Sequence, residues 1–408
     1  MTKIMVVNAG SSSLKFQLLV MPDEEVLTSG QIERIGFDDA YFTIKVNGEK
    51  VKKVMPIKSH KEAVEILLAA LVEHKIIKSL DEINGVGHRV VNGGSLFPES
   101  AKVDGDVIAR LETINDLAPL HNPHAITGYR AFASALPGVG HVLVFDTSFY
   151  VNMPETSYIY PLPYEWYTDY AVRKYGAHGT SHKYVASEAT RLLNLPSDAK
   201  IITCHIGNGA SVSAIKGGKC MNTSMGLTPL AGVMMGTRCG DIDPAVIKYI
   251  CEKTGKSVEE VTNDLNKKSG LLGVSGVSSD SRDVEEAANA GNIRAKLAQD
   301  LQVATIVRYI GSYYAELGGC DAIVFTAGLG ENNKAMRAKV ANKLKDAFGT
   351  VIDDERNNIR GEVALISADN SKIKMMVIPT NEELVIARDV VRLLGLNKTK
   401  ETTKCSRK

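Results

Sequence analysis

The chain has 408 residues, 44% of them apolar, with 48 Lys+Arg against 47 Asp+Glu, so its net charge of +1 excludes a generally basic nucleic-acid binder and a polyacidic solvating chain. That length suggests two or three domains with large cores, no apolar run reaches the roughly 18 residues of a membrane span, and Met1-Thr2-Lys3 leads into a strand-like run rather than a signal peptide. The six cysteines are scattered without a C-x-x-C pair, so a cytoplasmic protein with reduced thiols is expected, without a disulfide framework or zinc knuckle.

In chain order, Ile4-Met5-Val6-Val7 reads as a strand that stops at the polar turn Asn8-Ala9-Gly10-Ser11-Ser12-Ser13. Leu14-Lys15-Phe16-Gln17-Leu18-Leu19-Val20 alternates and predicts a returning strand, hence a hairpin. Residues 41–54 predict a second hairpin turned by Asn47-Gly48. Helical spacing runs from His60 to His74 through Ala63, Ile66, Leu67, Ala70 and Leu71. Residues 84–91 and 141–146 are short apolar runs ending in polar groups, as buried strands do.

About two hundred residues on, the pattern begins again. Residues 201–206 predict a strand, 207–211 a turn and 212–215 a returning strand, repeating the N-terminal hairpin. A further strand at 321–325 runs into Thr326-Ala327-Gly328-Leu329-Gly330-Glu331-Asn332. Helices are expected near 181–193, 245–254, 293–317, 335–348 and 381–394, followed by a frayed basic tail at 397–408. The chain reads as two α/β halves, each opened by a Gly/Ser hairpin.

Familiar nucleotide fingerprints are missing. There is no G-x-x-x-x-G-K-[ST], and Gly207-x-Gly209 and Gly328-x-Gly330 lack the third glycine of a dinucleotide loop. Three Gly/Ser-rich turns at strand ends remain, and each alone is an ordinary turn. Together they point to backbone N–H groups that approach phosphate oxygens, with Lys15 as a point charge.

His178 and His182 have the i, i+4 spacing of a zinc pair, but Gly179 and Ser181 read as a turn and N-cap. The rings are therefore expected off one helical face, with no third ligand nearby. His178 at a helix N-terminus, where anions are favoured, is the better reading, against the bland one of a turn histidine. The same caution covers His121 and His124. Arg89 and Arg238 each sit in a glycine-framed polar loop. Either alone fits a solvated salt bridge; as a pair they fit a clamp on small anions, because a guanidinium fork suits carboxylate and phosphoryl oxygens.

Five blocks together carry a resemblance: residues 8–16 (NAGSSSLKF), 173–182 (RKYGAHGTSH), 235–244 (MGTRCGDIDP), 326–332 (TAGLGEN) and 379–383 (PTNEE). In order and spacing, from about residue 3 to about 394, they resemble the acetate kinase family, in the superfamily of sugar kinases, heat-shock chaperone ATPases and actin. The resemblance implies an α/β fold of duplicated ribonuclease-H-like domains with the active site in the interdomain cleft. Residues 1–149 plus 383–408 would form the acyl-substrate-side domain, and 150–382 the nucleotide-binding and dimerisation domain. It further implies ATP/ADP as co-substrate, Mg²⁺ with Mn²⁺ as a substitute, and a homodimer.

The same resemblance implies residue roles. Asn8 and Glu382 would hold the metal, and Lys15 would contact ATP phosphate. Arg89 would bind the substrate carboxylate, with His178 and Arg238 stabilising the transferring phosphoryl group and Asp146 and His121 in the catalytic centre. His205, Ile206, Gly207, Asn208 and Gly209, with Gly328, Leu329, Gly330, Glu331 and Asn332, would line the phosphates. Asp280, Ser281 and Arg282 would hold the adenosine. Val91, Leu120, Ala177 and Pro229 would line the acyl pocket, where many members carry phenylalanine at the position of Ala177. Ser281 stands where larger residues are common.

The activity implied is reversible phosphoryl transfer from ATP to acetate. A propionate or other short-chain acyl kinase is the near alternative, and a chaperone- or actin-type ATP-binding module the distant one. Acetate titrates near a glutamate, at about 4.3, and is already ionised at pH 7. Asp146 is thus expected to orient metal-bound water or an arginine rather than to take a proton.

Overall fold

The structure is a computed structural model that describes residues 1–119 and 121–396. Leu120 and the tail expected at 397–408 lie outside the described residues. The chain divides into two compact units: Met1–Ser148 joined by the chain from Asn381 onward, and Phe149–Thr380.

The first unit carries an eight-stranded sheet. Its strands are β1 (Thr2–Ala9), β2 (Ser13–Met21), β3 (Glu25–Glu33), β4 (Tyr41–Val46), β5 (Glu49–Val54), β6 (Ile83–Val90), β7 (Ala101–Lys102) and β8 (Gly140–Phe145). Their order is β5-β4-β3-β2-β1-β6-β8-β7. The strands β1, β6 and β8 are parallel, whereas β1–β2 and β2–β3 are antiparallel. The turn at Asn47-Gly48 has φ of 52° and 85°, the doubly left-handed bend that a two-residue hairpin requires.

The second unit repeats this plan. Its strands are β9 (Lys200–Ile206), β10 (Ala210–Lys216), β11 (Lys219–Thr223), β12 (Ala322–Thr326), β13 (Ala364–Leu365) and β14 (Lys374–Val377), in the order β11-β10-β9-β12-β14-β13. Substituting 3, 2, 1, 6, 8 and 7 gives the first sheet without its outer hairpin, with every pairing direction preserved. This is the duplicated ribonuclease-H-like topology of the actin-like ATPase fold.

Side-chain alternation decides what each face does. In β1, Met5 and Val7 join a core with Leu14, Phe16 and Leu18 of β2, and with Val64, Leu67, Leu71 and Phe132 from the helices His60–Glu73 and Asn122–Ala135. Each such fully buried side chain contributes about 1.5–3 kcal/mol. The opposite face receives the helix Glu382–Leu393. Gly85 and Gly87 of β6 make room for it: a Cβ at Gly87 would lie 2.3 Å from Ile386 Cγ2, and one at Gly85 2.6 Å from Val390 Cγ1. Two residues further along the same face stands Arg89. The parity that admits the helix therefore also aims Arg89 at the helix's first residue, Glu382.

On the other face of β6, His88 is buried, with Nε2 3.0 Å from Nδ1 of His141 on β8. Both rings meet Tyr129 edge-on. Burial pushes His88 well below the ordinary histidine range and His141 down to about 4. The unfolded chain takes up protons below about 6.5 that the folded pair refuses. Stability should thus be intact above pH 6.5 and decline as pH falls towards 4, by up to about 1.4 kcal/mol per pH unit for each histidine. Urea unfolding of wild type and His141→Gln between pH 4 and 7 checks this, and parallel pH slopes would refute it. Gly87→Ala should lower unfolding free energy by about 1–3 kcal/mol through overpacking against Ile386, read as a lower urea midpoint.

Candidate active site

In both units the polar residues gather where parallel strands end, the usual ligand-binding edge of such sheets. In the first unit, Asn8 pairs with Lys15 across β1 and β2, Arg89 stands near the end of β6, and Asp146 follows β8 with its N–H donating to the Val90 carbonyl. Alternation places all four on the face that carries the helix Glu382–Leu393. Asn8, Lys15, Arg89, Glu382 and Glu383 line one cavity of about 280 Å³.

Arg89 is heavily engaged there. Its Nε and Nη2 donate to the two Asp146 oxygens at 3.1 and 2.7 Å, and Nε lies 3.4 Å from Glu382 Oε2. The Asp146 charge raises the guanidinium far above its usual range. Burial pushes the Glu382 carboxyl up to about 7, opposed by Arg89 and reinforced by Asp146 and Glu383. Three carboxylates thus gather around Arg89 in a partly dry pocket that Lys15, Lys45 and Lys50 also line.

The loop after β6 is fixed by Asn122, whose Nδ2 donates to the Asn92 carbonyl at 2.7 Å while Asn92 Oδ1 accepts from Gly94 N–H at 2.8 Å. Gly93 N–H donates to Thr147 Oγ1. This loop begins at half-buried Val91, and His121 caps the helix Asn122–Ala135 at its start, exposed. Leu120 lies outside the described residues.

In the second unit, a cavity of about 650 Å³ brings together Gly207, Asn208, Asp280, Ser281, Arg282, Gly328, Leu329 and Asn332. Leu271, Ser279, Glu285, Asn333 and Arg360 line it too; Ser279, Glu285 and Asn333 adjoin the expected blocks, whereas Leu271 and Arg360 come from segments that gave no sequence signal. Asp280 caps the helix Ser281–Asn289 and pairs with Arg282 at 2.5 Å. Ala327, at φ 65°, turns the chain sharply from β12 into the helix Ala327–Asn332.

Three expected phosphate-lining residues face elsewhere. Ile206 is fully buried in the core, and the Gly330 carbonyl accepts from the buried Arg337 guanidinium at 2.9 Å. Glu331 Oε1 accepts from the N–H groups of Ala327 and Thr380 at 2.7 and 3.1 Å, bracing the turn rather than the cavity.

His178, not Ser181, is the N-cap: it sits at φ 64° before the helix Gly179–Leu192, and Ser181 lies within the first turn. The rings of His178 and His182 are 6.5 Å apart, and His205 of β9 stacks on His178 at 4.0 Å, a neighbour that sequence spacing did not reveal. No group of three or more His, Cys, Asp or Glu side chains suited to a metal ion occurs among the described residues. Ala177 is buried in the core, its carbonyl accepting from Tyr150 Oη at 2.7 Å.

Arg238 differs from Arg89. Its Nη1 donates to the Pro229 carbonyl at 2.6 Å, no carboxylate pairs with it among the described residues, and burial lowers its basicity. A Cβ added to Gly209 would lie 2.9 Å from Arg238 Nη2 and 3.5 Å from His178 Nε2. Both side chains therefore converge on the glycine turn after β9. A half-buried cation beside bare backbone, with no acid to answer it, is a seat for an anion.

Residues 3–388 match the model of the acetokinase family. The chain belongs to that family. It is 56% identical over 397 residues to the acetate kinase of a Geobacillus species, which covers 97% of this chain and 100% of the relative. Among solved structures, Porphyromonas gingivalis acetate kinase matches with TM-score 0.93 and 45% identity, over 97% of this chain and 100% of that one. A Francisella tularensis propionate kinase matches with TM-score 0.90 and 41% identity, over 96% and 100%.

Gly209→Ala should force Arg238 and His178 aside, lowering turnover by about 10²-fold with the urea midpoint unchanged. Full turnover in that variant would show that neither side chain works against this turn.

Proposed function

We propose that the protein is an acetate kinase that transfers the γ-phosphoryl group of ATP reversibly to acetate, giving acetyl phosphate and ADP. Family membership supports the reaction, and the observation that carries the mechanism is Arg238, a guanidinium that no carboxylate among the described residues pairs with, beside the turn Gly207-Asn208-Gly209. The second-unit cavity has a volume suited to a nucleotide. Transfer of a phosphoryl group demands alignment and charge neutralisation rather than covalent help. Arg238 and His178 would donate to the equatorial oxygens, and Lys15 would meet the phosphate chain.

Arg89, held in plane by Asp146, would present its remaining donor edge to the acetate carboxylate. Acetate needs no base at pH 7, so Asp146 would serve by fixing Arg89. Asn8 and Glu382 offer hard oxygen donors in one cavity, which fits Mg²⁺, an ion usually held by one or two carboxylates plus substrate phosphates. Burial raises Glu382 most and the neighbouring Asp146 and Glu383 add to it; a divalent cation would favour the ionised carboxylate again. Bound there, the ion would neutralise phosphate charge. A cytoplasmic homodimer completes the proposal, supported by family resemblance and by the lack of any membrane-length apolar helix among the described residues.

Propionate is the alternative acceptor, supported by the Francisella relative. One methylene changes binding by only about 1–3 kcal/mol. Acetate-dependent ADP formation tests the reaction, and kcat/KM across formate, acetate, propionate and butyrate tests the acyl group, with acetate expected highest. Arg238→Lys and Arg89→Lys should each lower kcat severely, on the order of 10³-fold or more for a phosphoryl-clamping arginine, with circular dichroism unchanged, because lysine keeps the charge but loses the fork. Near-wild-type kcat in either variant would remove that arginine from the transition state.

A further inference from the structure

Two chains of buried hydroxyls end on the stacked imidazoles of the second unit. In the first, Thr203 Oγ1 lies 2.6 Å from His182 Nδ1, His182 Nε2 lies 2.7 Å from Ser211 Oγ, and Ser211 Oγ lies 2.8 Å from His178 Nδ1. In the second, Thr380 Oγ1 lies 2.7 Å from Ser181 Oγ, which lies 2.8 Å from His205 Nδ1. Thr203, Ser211, Ser181 and His182 are wholly buried, so each of their side-chain protons needs a protein acceptor.

Proton accounting gives the direction. A buried hydroxyl hydrogen without an acceptor is costly. The only bond of the Thr203 hydroxyl among the described residues is to His182 Nδ1, so Thr203 donates there. His182, kept neutral by burial, then carries its single proton on Nε2 and donates it to Ser211 Oγ. The Ser211 hydrogen is left for His178 Nδ1 at 2.8 Å, in preference to the Ala177 carbonyl at 3.4 Å. In the second chain Thr380 donates to Ser181, and Ser181 in turn to His205 Nδ1.

We infer that Thr203, His182 and Ser211 on one side, and Thr380 and Ser181 on the other, are positioning residues that hold His178 and His205 as a neutral pair, each protonated on Nε2. This inference rests on reading the Gly207–Gly209 turn as a phosphoryl site, which it deepens. Its consequence is two pre-formed, uncharged N–H donors, with His178 Nε2 directed at the turn beside Arg238. Arg238, the cation on the same glycine turn, agrees with a neutral ring at His178, because a like charge disfavours an imidazolium. Donors that carry no charge strengthen toward the phosphoryl oxygens as negative charge gathers there, without repelling Arg238.

Long-range ¹H–¹⁵N correlation of the imidazoles in the intact, ¹⁵N-histidine-labelled protein reads the tautomers without reference to activity. Single His→Gln variants assign the nine histidines. His178 and His205 are expected as neutral Nε2–H tautomers throughout pH 6–8. Ser211→Ala should shift His178 toward Nδ1–H and lower kcat roughly tenfold with KM for acetate little changed, and Ser211→Thr, which keeps the hydroxyl, should restore the wild-type tautomer. An imidazolium or an Nδ1–H tautomer at His178 in the wild-type protein overturns the inference, even if Ser211→Ala does not fold. Correct tautomers in a protein without acetate-dependent ADP formation would instead refute the kinase reading and leave the proton chains standing.

Discussion

A guanidinium that no carboxylate among the described residues pairs with is the constraint around which the second unit is arranged. Arg238 is half-buried, its basicity lowered by desolvation, yet among the described residues its surroundings supply a carbonyl, a glycine turn and an imidazole edge, and no carboxylate. Removing a cation from water without pairing it costs free energy. Such an arrangement makes physical sense when an anion completes it, and the transferring phosphoryl group is the anion that this family's chemistry supplies. The glycine turn and the neutral histidines then have one purpose: to bring donors close without adding a competing charge.

The first unit handles charge in the opposite way. Arg89 is answered by Asp146 and flanked by Glu382, so its orientation is fixed and carboxylates gather around it. Carboxylates so gathered would suit a divalent cation and leave the arginine's free edge to recognise a carboxylate by geometry more than by net charge. One sheet plan, used twice, thus carries two different electrostatic solutions at the same strand ends. The difference lies in a few residues at those ends, not in the topology.

Much of this was legible in the sequence because local signals and tertiary needs agreed. Asn47-Gly48 could only be a tight hairpin, and the strands, helices and repeated opening hairpin follow from period and turn chemistry. The residues at strand ends were legible through the family blocks. What stayed hidden depends on long-range pairing. Gly85 and Gly87 read as ordinary strand residues until a helix from residues 382–393 packs on them. Glu331 sits in a phosphate-like loop, yet its carboxylate braces the backbone. Thr203 and Ser211 look like routine β-strand residues, and only the adjacency of β9 and β10 beside the helix Gly179–Leu192 brings their hydroxyls onto His182.

The central claim is that Arg238 is kept for an anion at some cost to the fold. The most direct measurement is the unfolding free energy of Arg238→Met in urea, without ligands, beside its rate of acetate-dependent ADP formation. A nearly isosteric apolar side chain removes the unanswered charge, so stability should be unchanged or higher by about 1 kcal/mol while turnover collapses. A variant destabilised by several kcal/mol would contradict this account, because it would show that Arg238 holds the fold together and that its charge is answered within the protein.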